Sequence, residues 1–107
     1  MAKTSFKPTL QMAANAKRGL KLRDRFNRGG TSVGVNRANQ LVARADLDEA
    51  DVMSMASYFA RHAVDKEAKS SKWGDASDPS AGFIAWLLWG GDAGEAWGKR
   101  NRAKIGD

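Results

Sequence analysis

DPSAGFIAWLLWGGDAGEAW, residues 78–97, decides the fold. Asp78 before Pro79 reads as a helix start, with aspartate as N-cap and proline at the first helical position, where a missing N–H costs nothing. From there to Trp89 the segment is apolar nearly all round, so a helix over 79–89 has no face left for water and belongs at the centre of a core. Gly90-Gly91 stops it. Asp92, with Glu95 three positions on, reads as a capping box opening a last helix that carries Trp97. The apolar run Phe83–Trp89 is far short of the roughly 20 residues that a membrane span needs.

A buried helix needs others around it, and the preceding sequence supplies them. A first helix is expected over 9–27, after Pro8 and before Gly29-Gly30. Placed at about 100° per residue, Lys17, Arg18, Lys21, Arg25 and Arg28 share one side, and Met12, Ala16, Gly19, Leu20 and Phe26 the other. Arg23 falls on the apolar side and calls for a partner, expected from the acids of 46–51. A second helix is expected over 32–44 with Thr31 as N-cap. Its inner face would be Val35, Ala38, Leu41 and Val42, and its outer side Asn36, Arg37, Gln40 and Arg44, with Gly34 admitting another backbone. A third helix would start at Asp46, with Glu49 completing a capping box, and end near Val64. Val52, Met53, Met55, Ala56, Phe59, Ala60 and Ala63 would face in, and Asp51, Ser54, Tyr58 and Arg61 out. Residues 65–78 read as a polar connection with Trp73 as its one anchor. No segment alternates with the period of a strand.

The fold class that follows is all-α: a compact bundle of four to five short helices with a helix-turn-helix-like N-terminal half. Residues 1–8 would be an arm, 9–98 a single helical domain and 99–107 a basic tail into which the last helix frays. The 107 residues suffice for one modest core, and the large side chains for it are four Trp and four Phe. There is no cysteine, so neither a disulfide nor a thiolate metal site can form. MAKTSFKPTL has no apolar stretch of signal-peptide type, so the protein is expected to act where it is made.

Charge is distributed unevenly. Residues 1–44 hold ten Lys and Arg against Asp24 alone, residues 45–98 hold ten acids against four Lys and Arg, and Lys99, Arg100, Arg102 and Lys104 close the chain. A basic segment of this kind attracts polyanions, although the acidic middle can also neutralise it within one molecule.

Catalytic chemistry is hard to assemble, so a non-enzymatic protein without cofactor, metal or small-molecule substrate is expected. Asp46, Asp48, Glu49 and Asp51 cluster in a first helical turn, where acids favour the dipole without any metal. His62, the one histidine, has Asp65 three positions on but no nucleophile motif beside it, and reads equally as a cation at a helix C-terminus. Neither GxGxxG nor Walker chemistry is present. The basic side of the first helix could neutralise DNA phosphates. Asn36, Arg37, Gln40 and Arg44 are types that read base edges, as the second helix of a helix-turn-helix does. Against this stands an ordinary solvated surface. Trp86, Trp89 and Trp97 could stack on bases but at helical spacing fit a core.

The chain also resembles a family of phage and prophage modules. The likeness rests on Gly29, Gly30, Thr31, Val33, Gly34, Arg37 and Ala38; on Phe59, Arg61 and His62; and on Ala85 to Asp92, Gly94 and Trp97. It covers about residues 11–98. Many members read HEVDK where this chain has His62-Ala63-Val64-Asp65-Lys66. Members of that family occur alone or joined to head-assembly proteins such as prohead proteases, and some carry a DNA-binding label. The resemblance therefore implies a viral context, in host cytoplasm or virion. The partner would be DNA, met through Lys17, Arg18, Lys21, Arg25, Arg28, Asn36, Arg37, Gln40 and Arg44, or alternatively a capsid or other acidic protein surface. An inhibitor of a host enzyme would also suit the size and charge.

Overall fold

Thr9 and Asn27 bracket the first helix, α1 (Leu10–Phe26). The Thr9 hydroxyl accepts from the Met12 N–H at 3.1 Å, the Met12 sulfur accepts from the Thr9 N–H at 3.4 Å, and Asn27 ends the helix at φ 52°, a left-handed conformation that asparagine tolerates. Thr31 caps α2 (Ser32–Val42) through the Gly34 N–H. There follow α3 (Glu49–His62), α4 (Ala81–Leu88) and α5 (Gly91–Gly106). The computed structural model describes residues 5–64 and 77–106, and within them the fold is an all-helical bundle with one isolated antiparallel bridge, Phe6 to Leu47, and no strand. Trp73 and most of the polar connection lie outside the described residues.

The apolar segment at 83–89 is the buried centre that its composition demands. Phe83, Ile84, Trp86, Leu87, Leu88 and Trp89 are all buried. α1 packs on α2 and α4, and α3 on α5. Gly19 is where α1 meets α4: a Cβ there would stand 2.9 Å from both the Leu87 Cβ and the Leu88 backbone nitrogen. Trp86, Trp89 and Trp97 belong to the core. The indole N–H of Trp86 donates to Asp92 at 2.9 Å and that of Trp97 to the Lys7 carbonyl at 3.1 Å.

Several boundaries differ from the sequence reading, each for a tertiary reason. α3 is capped by Asp48 with Asp51 reciprocating, not by Asp46 with Glu49. Leu47 is held extended by two backbone hydrogen bonds with Phe6, of 2.8 and 3.0 Å, so the helix cannot begin before it. Residues 5–8 are accordingly not a loose arm: Phe6 and Pro8 are buried. α4 is capped by Ser80, which accepts from the Phe83 N–H, while Pro79 is buried in the preceding turn and Asp78 turns to Arg28. α5 starts at Gly91 and stays helical through the basic tail, because Asn101 is buried and Ile105 packs on the core.

Facing also shifts. On α2 the buried set is Gly34, Arg37, Ala38 and Leu41, while Val42 is exposed. The close approach at Gly34 is made by the Trp89 and Leu88 side chains rather than by a backbone. On α3, Tyr58 is buried, not outward, and Met53 and Ala60 are exposed.

Candidate nucleic-acid interface

α1 carries the basic side expected of it. Lys17, Arg18, Lys21 and Arg25 are exposed, and Arg28 follows just beyond the helix end. Asp24 is exposed on the same side. Three of the five cations are braced on rings. The Arg18 guanidinium lies 5.5 Å from the Phe83 centroid, and those of Arg25 and Arg28 lie 5.2 and 5.6 Å from that of Phe26. Such contacts restrict rotamers that an exposed arginine would otherwise sample. Arg28 is further tied by its Nη1, which donates to the Pro79 carbonyl at 3.0 Å and to Asp78 at 3.1 Å. It therefore fastens the α1–α2 turn to the entry of α4. Behind it, Arg23, Asn27, Arg28, Gly29 and Gly30 line a polar hollow of about 240 Å³.

Arg23 does not find an acid from 46–51. Its Nε donates to the Gly29 carbonyl at 3.0 Å, satisfying the turn that follows its own helix. Those acids are engaged elsewhere: Asp46 with Lys7 at 3.8 Å, Asp48 as cap, and Asp51 with Arg37 at 2.9 Å. Among the described residues no group of three His, Asp or Glu is placed to hold a metal ion.

The polar side predicted for α2 separates into two halves. Asn36 and Gln40 are exposed. Arg37 is turned inward, and Arg44 lies beyond the end of α2. Arg37 is buried: its Nη1 donates to both Asp51 and Gln40 at 2.9 Å, and its guanidinium lies 5.5 Å from the Trp89 centroid. Gly34, Arg37, Ala38 and Leu41 follow one another at helical spacing, so the inward position of Arg37 is written in the sequence once arginine is admitted to a core. Arg44 adopts φ 50° and its Nε donates to the Pro8 carbonyl at 2.9 Å, holding the N-terminal segment down.

Desolvation pushes the Asp51 carboxyl up. The Asp48 N–H and the Arg37 guanidinium outweigh it, and the net position is below the ordinary carboxylate value. Trp89 stacks face to face on Tyr58, centroids 4.3 Å apart and planes 4° apart, and His62 lies on Tyr58 at 4.5 Å. Two rings that close to one ring must occupy its opposite faces. The cleft of about 480 Å³ that these residues line with Thr31, Val33 and Arg61 thus has Tyr58 already sandwiched.

No family model, curated protein or solved structure matches the chain.

Proposed function

We propose that this protein binds DNA through the outer side of α1, in the phage context that its motif resemblance suggests, without itself catalysing a reaction. The observation that carries this reading is the row Lys17, Arg18, Lys21 and Arg25: four exposed cations on one helical side, two of them braced on phenylalanine rings. Guanidiniums held in place lose less freedom on meeting a phosphate than unsupported ones do. A titration of labelled DNA at rising salt tests the proposal. Affinity should fall steeply because released counterions gain less entropy at higher salt, and Lys17→Ala, Lys21→Ala and Arg25→Ala should each weaken binding. No binding at low ionic strength refutes it.

A second reading, docking on a phage structural protein, is favoured by the outer side of α3. Ala50, Met53, Ser57 and Ala60 are exposed there and uncharged, a row that suits protein contact better than phosphate contact. Stoichiometric copies in purified particles, found by mass spectrometry, would support this reading over the first.

A further inference from the structure

We infer that α1 engages duplex DNA through its phosphate backbone alone, without reading base sequence. This rests on the DNA-binding reading above and specifies its ligand. Two observations carry it. The first is where the arginines expected on the second helix have gone. Arg37, the one arginine of α2, is fixed by Asp51, Gln40 and Trp89, and Arg44 stands beyond the helix end with its Nε donating to the Pro8 carbonyl, so α2 presents no exposed arginine to grip guanine from a groove. Asn36 remains exposed, and Gln40 is occupied by Arg37.

The second is what the aromatic rings beside the basic side are used for. Phe26 is covered by Arg25 and Arg28, Phe83 is buried beneath Arg18, and Tyr58 is sandwiched by Trp89 and His62. These rings serve as platforms for cations or as core. A single strand gains much of its binding from bases stacked on open rings, a contribution these rings do not offer. A duplex needs no such ring. The rise from Lys17 to Arg25 is about 12 Å, along which a duplex presents about seven phosphates and a single strand about three or four. A row of cations on one helix, two of them braced on rings, meets a stiff rod without ordering a flexible chain.

The test uses the whole protein in anisotropy titrations against three probes: an A·T-only duplex, a G·C-rich duplex and a single strand of equal length. The two duplexes should bind within about fivefold of each other, the least that one base-reading pair confers. The single strand should bind at least about fivefold more weakly, lacking both stacking and charge density. The duplex should show a log–log salt slope near −3.6 for about four phosphates. Asn36→Ala should leave the ratio between duplexes unchanged. A preference above about fivefold for one duplex over the other, or a single strand bound within about fivefold of the duplexes, overturns this inference while leaving DNA binding in place. Failure to bind any probe removes the DNA-binding reading and this inference with it.

Discussion

The Arg37 guanidinium and the Asp51 carboxylate meet at 2.9 Å, with the arginine side chain 9% exposed and the aspartate 28%. Residue types that suggest a DNA contact and a helix cap here form one internal tie. Asp51 reciprocates the α3 cap, Arg37 lies against Trp89, and Trp89 stacks on Tyr58 of α3. The pair therefore joins α2, the start of α3 and the end of α4. Among the described residues the buried Arg37 Nε has no hydrogen-bond partner, a mark of how far the side chain has been drawn in.

Arg37→Ala should cost about 2–3 kcal/mol of unfolding free energy. That is below the full penalty for orphaning a buried charge, because Asp51 keeps some water. Arg37→Lys should recover only part, since an ammonium cannot span Asp51 and Gln40 while lying flat on an indole. Urea denaturation measures both. DNA affinity of the folded protein should change little, the reverse of what Lys17→Ala should show. A loss of affinity without a loss of stability would return Arg37 to the DNA-contacting set.

The same pair gives the acid limb of stability a predictable shape. The Asp51 carboxyl is held below its ordinary value of 3.8 in the folded protein, so its contribution is fully present above that value. It is lost as pH falls through the depressed folded value, because the folded state then takes up the proton. Asp51→Asn should destabilise the protein near neutral pH, and its deficit against the parent should shrink as pH drops below about 4. Parallel thermal melts across the acid range check this. A deficit constant with pH would show that the carboxylate charge contributes nothing.

How legible this fold was depended on the range of the deciding contacts. The helix at 79–89 was readable because its composition leaves it no wet side, and the extent of α1 because Pro8 and Gly29-Gly30 bracket it. The start of α3 was not, because Phe6 restrains Leu47 from 41 positions away. Facing failed at Arg37 and Tyr58, two amphipathic side chains that find partners inside: aspartate and indole for one, a stacked indole and a tilted imidazole for the other. The basic side of α1 was legible as periodicity. That Phe26 and Phe83 brace its arginines was not, since Phe83 arrives from another helix.

Gly19→Ala tests the closest helix contact. In an exposed helix this change gains roughly 0.5–1 kcal/mol by stiffening the chain. Here the added methyl would stand 2.9 Å from a backbone nitrogen that cannot rotate aside, so α1 and α4 must part. Overpacking of this kind costs about 1–3 kcal/mol, and the net effect should be destabilising. A rise in the melting temperature would mean that the two helices slide apart freely.

Asp24 gives the sharpest test of what α1 is for. It is exposed on the basic side, near the C-terminal end of the helix, where a negative charge opposes the dipole. If phosphates approach Lys21 and Arg25, Asp24 repels them. Asp24→Asn should then tighten duplex binding on the order of threefold at low ionic strength, and the gain should fade as salt screens it. In the fold the same substitution removes an unfavourable dipole interaction and a favourable attraction to neighbouring Lys21 and Arg25, each of a few tenths of a kcal/mol (about 0.2–0.5), so stability should change little whatever the ligand. Stability and affinity thus separate two causes. A folded variant of unchanged stability whose affinity does not rise would place the phosphates away from this side of α1, and Lys17, Lys21 and Arg25 would then be an ordinary solvated surface.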